Sequence, residues 1–289
     1  MPSVVIAAHN EEQVIGACLD ALAAQDIGGT LEIVVSANGC TDRTADIARR
    51  GGAVVVDRPE PGKAAALNAG DAVATSFPRI YLDADIVLPP HAVGALVARL
   101  SDAPGRLAAV PRRRLDTAGR PWPVRAYFSI NERLPAFRSG LFGRGVITLS
   151  EEGRARFTAL PDRIADDLFV DSLYSEAERV VVPEVEVVVE APRTTRALLA
   201  RLERVRRGNA QLRADGAATG APVRPARRWA WFTDVVVPHP RLAFAAVPYV
   251  AITVVAALRA RRAASSGGGW GRDDSTRNGT ATGDRRGAA

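Results

Sequence analysis

Only two cysteines, Cys18 and Cys40, occur in 289 residues. That is too few for a disulfide framework or a cysteine-based zinc site, so a reducing compartment fits. Lysine is nearly absent, Lys63 standing alone among 38 basic residues. No Gly-x-Gly-x-x-Gly or Walker-type sequence follows the first apolar run, which argues against a nicotinamide enzyme or a P-loop ATPase. The opening MPSVVIAAHNEE carries neither a basic n-region nor an adequate apolar stretch for an export signal, so a cytosolic catalytic part is expected. Acids are scarce late in the chain: residues 191–262 carry 14 basic and 3 acidic side chains, against 7 and 12 in residues 1–100. A basic stretch of that kind suits nucleic acid, anionic lipid or a charged substrate, and its neighbours decide which.

The composition, 47% hydrophobic and 24% charged, is that of a globular protein long enough to bury a core of its own. In the first hundred residues, short β-branched runs alternate with amphipathic stretches. SVVIAA (3–8), LEIVVSA (31–37), AVVVD (53–57) and RIYLD (79–83) read as strands. EQVIGACLDALAAQ (12–25), TADIARR (44–50), KAAALNAGDAVAT (63–75) and a stretch over about 90–100 read as helices. Four βα units predict a mostly parallel sheet covered by helices. From about residue 105 the pattern loosens. GRGVITLS (143–150) reads as a strand, IADDLFVDSLYSEA (164–177) as a helix, RVVVPEVEVVVE (179–190) as a strand pair or one long strand, and TTRALLARLERVRRGNAQL (194–212) as a basic amphipathic helix. Residues 263–289, rich in Gly, Ser, Thr and charge, are expected to form a disordered tail.

Residues 242–258, LAFAAVPYVAITVVAAL, form an uncharged run between Arg241 and the RARR of 259–262, interrupted by Pro248. Its length is at the lower limit for spanning a bilayer. It reads either as a buried helix of the soluble domain or as an in-plane or spanning membrane contact flanked by arginines. Apart from Trp229, Trp231 and Phe232, which suit a membrane interface at least as well, the arginine-rich third lacks interleaved aromatics, so no nucleic-acid partner is expected.

In open parallel sheets ligands bind beyond the carboxyl ends of the strands. Those ends carry Asn10-Glu11-Glu12, Asn38-Gly39, Asp57 and Asp83-Ala84-Asp85. An Asp-x-Asp pair at a strand end is suited to a hard divalent cation and leaves coordination positions for phosphate oxygens. Alone, such a pair is more often an acidic turn or helix start before a segment such as the following PPHAVGAL.

Taken together and in this order, AAHNEE, EIVVSANGCTDRTADIA, GKAAALNAG and LDADI resemble the family 2 glycosyltransferases over roughly residues 2–215. The resemblance implies an α/β fold of the GT-A, Rossmann-like type: a mostly parallel mixed sheet covered by helices, here followed by a C-terminal apolar helical segment. It implies a nucleotide-sugar half (1–105) and an acceptor half (106–215); charge and apolarity add a basic, apolar membrane-associating segment (216–262) and the tail. Carried over by position, Asp85 is a metal ligand for Mn²⁺ or Mg²⁺, with Asp83 at the metal or the ribose. Asn10, Glu11, Glu12 and Asn38 border the nucleotide. The family's usual Asp-Asp-Gly-Ser is Ala37-Asn38-Gly39-Cys40 here, and an Asn carbonyl still accepts a base imide N–H. Gly62-Lys63 matches a nucleotide-contacting Gly-Lys, whereas Thr41 and Asp42 read as helix caps. The pair Asp166-Asp167 resembles the family's acidic motif, whose second member is the catalytic base. A Gln-x-x-Arg-Trp motif is absent, which disfavours a processive synthase, but Arg204 and Arg207 remain candidates to close over the diphosphate.

The implied activity is inverting transfer of a sugar from a nucleoside-diphosphate sugar to an acceptor hydroxyl at the inner face of the cell membrane. The apolar run suggests a lipid-linked or apolar acceptor. The competing readings are a GT-A-like binding protein without turnover and a sugar-1-phosphate nucleotidylyltransferase. The second lacks its Gly-rich signature after the first strand.

Overall fold

A computed structural model of the chain describes residues 1–161, 166–219, 227 and 229–265. The expected four βα units are present: β1 (Ser3–Ala8), α1 (Ile15–Ala23), β2 (Glu32–Asn38), α2 (Thr44–Arg50), β3 (Val54–Arg58), α3 (Lys63–Val73), β4 (Arg79–Asp83) and α4 (Ala92–Ser101). β1 and β4 are buried almost throughout because helices cover both faces of the sheet, which suits the apolar runs Val4–Ala8 and Ile80–Leu82. Helix α1 turns Ile15, Cys18, Leu19 and Leu22 inward, the spacing of a single helical face.

The second half contributes β5 (Ala108–Asp116), α5 (Trp122–Asn131), α6 (Pro135–Ser139), β6 (Val146–Leu149), α7 (Glu151–Arg154), α8 (Asp166–Ser172), β7 (Arg179–Glu190), α9 (Thr195–Thr219) and α10 (Ala243–Ser265). The seven strands form one sheet in the order β3-β2-β1-β4-β6-β5-β7. β1 pairs in parallel with β2 and β4, and β2 in parallel with β3, whereas β6 runs antiparallel between β4 and β5. β5 and α5 were not legible in the sequence: AAVPRRRLD sets a proline and three arginines inside a strand and shows no alternation. RVVVPEVEVVVE is a single strand. Its register slips against β5 between the Pro111–Val182 and Arg112–Glu186 pairs, beside Pro183, which has no N–H to give the ladder.

Two cores pack against the faces of the sheet. A third lies between α5, α9 and α10, where Val124, Phe128, Ile130, Leu198 and Ile252 are buried and the Tyr127 and Tyr249 rings stack 5.2 Å apart. The expected boundaries at 215 and 262 fall inside α9 and α10, which run on to Thr219 and Ser265. α10 answers to neither sequence reading alone. Tyr249, Ile252, Ala256 and Ala260 are buried, while Phe244, Val247, Val254 and Leu258 are exposed. Most of the expected tail, residues 266–289, lies outside the described residues.

Candidate active site

The carboxyl ends of β1, β2, β3 and β4 lie side by side, and the loops leaving them are stitched together by the polar residues the sequence marks out. Asn10, in the left-handed region at φ 53°, accepts the Thr41 N–H on Oδ1 at 2.7 Å. Asparagine tolerates that conformation better than most side chains. The Glu11 N–H donates to Thr44 Oγ1 at 2.7 Å and the Glu12 N–H to Asp42 Oδ2 at 3.2 Å, while Glu12 Oε2 accepts from Arg43. Asp42 also accepts the Thr44 N–H at 3.0 Å, so it serves the start of α2 as expected. Thr41 does not cap: its N–H and hydroxyl both turn to Asn10.

Asn38 is 3% exposed. Its amide donates to the Ala8 carbonyl at 2.8 Å and its Oδ1 accepts the Gly62 N–H at 2.9 Å. Its expected reading of a base meets a carbonyl that is buried and already holds the third loop in place. Gly39, at φ 57°, lets Pro61 approach so closely that a Cβ would sit 3.0 Å from its nitrogen. The same close contact delivers Gly62 and Lys63. Asp57 lies outside this arrangement, exposed and paired with Arg49 at 3.0 Å.

Lys63, the first residue of α3, reaches across to Asp83, with Nζ 2.9 Å from Oδ1 and both side chains partly open to solvent. Asp85, in the turn after β4, is exposed. Beneath the pair, the buried Cys18 thiol has its pKa pushed up to about 12, first by burial and then by the negative charges of Asp85 and Asp83.

The antiparallel β6 joins this row to the second half. The Asp83 N–H donates to the Gly145 carbonyl at 2.8 Å. Gly145 itself, at φ 70°, has room for nothing larger, since a Cβ would lie 2.6 Å from Ile86 Cγ1 and 3.3 Å from Asp83 Oδ2. Two residues back, the Gly143 N–H donates to Asp167 Oδ2 at 3.2 Å. Asp167 and the Asp-x-Asp turn, 82 positions or more apart in the numbering, are thereby brought to opposite ends of one three-residue segment. Asp166 opens α8, and its side chain lies outside the described residues. The segment is anchored by Arg144, buried and donating to the carbonyls of Gly140, Pro111, Phe137 and Arg138. Asp171 supports it from below, accepting the Leu141 N–H at 2.8 Å and pairing with buried Arg179 at 2.5 Å.

Arg113, which sequence reasoning did not single out, borders this segment. Its guanidinium donates to the Gly143 carbonyl at 3.3 Å and lies 4.9 Å from the centre of the Phe137 ring. Burial, and then the charge of Arg201, bring its pKa down to about 10, so it stays cationic at neutral pH. No local signal separates it from the other arginines of this chain. Arg204 and Arg207, the candidates to close over a diphosphate, lie half-buried on α9. The α9 charge that bears on Arg113 is that of Arg201.

Asp83 and Asp85 offer hard carboxylate oxygens at a position where an ammonium group already sits, and this donor chemistry fits a divalent cation. Among the described residues no cluster of three or more His, Cys, Asp or Glu side chains forms a closed metal cage. The surface hollow of about 610 Å³ lined by Leu100, Pro104, Leu107, Ser150 and Glu152 plays no part in this site. It lies at the opposite end of the sheet, where β5 begins and β6 ends.

A strand-end carboxylate pair, a crossing lysine and an acid across an antiparallel strand can bind an anionic leaving group and take a proton nearby. A family model, Glycosyl transferase family 2, matches residues 3–151, half of the chain. The chain belongs to this family. An uncharacterized glycosyltransferase of Mycobacterium tuberculosis is 37% identical over 121 residues, 42% of this chain and 52% of that protein. The undecaprenyl-phosphate 4-deoxy-4-formamido-L-arabinose transferase of Pseudomonas aeruginosa is 34% identical over 133 residues, 43% of this chain and 39% of its own. The chain thus matches about half the length of the curated relatives, or less. Among solved structures, a mannosyltransferase of Pyrobaculum calidifontis in complex with GDP-mannose and Mn²⁺ superposes with a TM-score of 0.60 at 22% identity, over 92% of this chain and 76% of that one. That likeness establishes the GT-A fold, and the family match places a family 2 glycosyl transferase domain at residues 3–151.

Proposed function

We propose that this family 2 transferase moves a sugar, with inversion, from a nucleoside-diphosphate sugar to the hydroxyl of a lipid-linked acceptor at the cytosolic membrane face. The observation that carries the reading is the bridge from Asp83 through Gly145 and Gly143 to Asp167. It sets a cation-seeking pair and a candidate base on either side of one short segment. The GDP-mannose and Mn²⁺ of the Pyrobaculum enzyme support the donor class and the metal, and the undecaprenyl-phosphate substrate named for the Pseudomonas relative supports a lipid-linked acceptor.

In this reading Asp85 and Asp83 would hold Mn²⁺ or Mg²⁺, which would supply Lewis-acid stabilisation of charge on the departing diphosphate. Lys63, whose ammonium lies 2.9 Å from Asp83 Oδ1, would be within reach of the phosphates of a donor held there and would offset their negative charge. Glu11 and the loops stitched by Asn10, Glu12 and Asn38 fix the wall against which the nucleoside lies. Asp167 accepts the proton of the attacking hydroxyl, and its bond from the Gly143 N–H holds the carboxylate oriented for that task. Attack from the face opposite the diphosphate inverts the anomeric centre.

Calorimetric titration of UDP, GDP and dTDP, each with and without Mn²⁺, tests the donor half. Metal-dependent binding of one nucleotide, lost in Asp85→Ala, is the expected result, and absence of binding to all three overturns it. For the base, Asp167→Asn should lower turnover by about 10²–10⁴-fold while nucleotide affinity stays within about twofold. Normal turnover in that variant removes Asp167 from the role.

A further inference from the structure

Helix α10 has two apolar faces. Tyr249, Ile252, Ala256 and Ala260 recur at helical spacing and are buried, Tyr249 and Ile252 within the core shared with α5 and α9. The opposite stripe is Phe244, Val247, Ala251, Val254 and Leu258, exposed to solvent, with Phe244 84% and Val247 72% accessible. The preceding segment extends it: Trp229, Phe232 and Val237 are exposed, and Trp229 lies against Trp231, which in turn packs 5.9 Å from Tyr249. An apolar strip of this length, with aromatic rings at one end, is a surface that water disfavours.

Its charge specifies the partner. Between Asp234 and Asp273 the sequence contains no acid, whereas Arg241, Arg259, Arg261 and Arg262 all fall in that interval. All four guanidinium-bearing residues are exposed. Apolar side chains flanked by exposed arginines and aromatic rings fit the interface of an anionic bilayer, where acyl chains take the stripe and phosphates take the guanidinium groups.

The packing also decides the posture. Pro240–Ala263 is long and apolar enough by composition to cross a membrane. To do so it would have to carry its packed neighbour α9 into hydrocarbon, and α9 bears Arg196, Arg201, Arg204, Arg206, Arg207 and Arg213. Pro248 has no N–H, so the Phe244 carbonyl receives no helical bond from it, a smaller cost near headgroups than at the bilayer centre.

We infer that α10 docks in the plane of an anionic phospholipid bilayer through Phe244, Val247, Val254 and Leu258, with its other face kept on α5 and α9. The inference deepens the membrane-face part of the proposed function and is independent of the transfer chemistry. Sedimentation of the full chain with phosphatidylcholine vesicles, with and without phosphatidylglycerol, should show binding that needs the anionic lipid and weakens with added salt. Val247→Asp with Val254→Asp should weaken it by about tenfold or more, with melting temperature and nucleotide affinity unchanged. Arg259→Gln should weaken it by about fivefold. Shallow brominated lipid should quench tryptophan fluorescence more than deeply brominated lipid, and alkaline carbonate should release the protein. Three results would overturn the inference: no lipid preference, retention in carbonate with stronger deep quenching, or a dimer in solution that the double aspartate variant converts to monomer. The first of these, with nucleotide binding intact, would leave the catalytic reading standing.

Discussion

The donor half and the C-terminal helices are assembled by opposite means. In the donor half, polar side chains do the joining: Asn10, Glu12, Asn38 and Asp42 tie three loops together with hydrogen bonds, while Lys63 pairs with Asp83 across the strand ends and Asp85 is exposed. In the C-terminal part the joining is apolar, through Tyr127, Tyr249, Ile252 and their neighbours, and Arg241, Arg259, Arg261 and Arg262 are exposed. A motif of polar residues is therefore partly scaffold, and an apolar run is partly surface. Residue type alone does not say which part is which.

The largest effect that sharpens this contrast is expected on the two faces of α10. Ile252→Ala should cost about 2–4 kcal/mol by leaving a cavity between helices, while Val254→Ala, two residues on, should stay within about 0.5 kcal/mol. Denaturant unfolding of both variants is the measurement, and equal losses would mean that the outward stripe is covered in solution. Next comes Asn38→Ala, which strips partners from the Ala8 carbonyl and the Gly62 N–H in a buried position. A loss of about 2–3 kcal/mol is expected, together with weaker nucleotide binding through displacement of Lys63. Nucleotide affinity lost at full stability would instead make Asn38 a direct ligand. The smallest effect belongs to Glu12→Ala, whose exposed bonds to Arg43 should contribute less than about 1 kcal/mol. A thermal melt that moves by several degrees would show that the first loop leans on Glu12 more than on Asn10.

Much of the fold was legible. Four βα units, the long helix α9 and the apolar α10 announce themselves through periodicity, because a strand or helix with one environment along its length repeats its residue types. β5 did not, since its arginines and proline serve a strand whose outer part pairs with Glu186 and whose Arg113 points to the site. The candidate site was half legible. Asp83, Asp85 and Lys63 follow local strand-end and helix-start positions, and the structure brings them together. Arg113 and the Gly143–Gly145 segment were silent, because their part is defined by contacts to residues far away in the chain.

The sequence by itself determined the alternating architecture, the place of the Asp-x-Asp turn at a strand end and the separation of an acidic first third from a basic last one. Those properties are local: they depend on side-chain period, turn chemistry and charge count. Only the tertiary structure decided that β6 enters the sheet antiparallel and carries Gly145 to Asp83 and Gly143 to Asp167. It also decided which apolar face of α10 the protein keeps for itself. Both depend on which distant elements meet, and a hydrogen bond or a buried face exists only once its partner has been brought within reach.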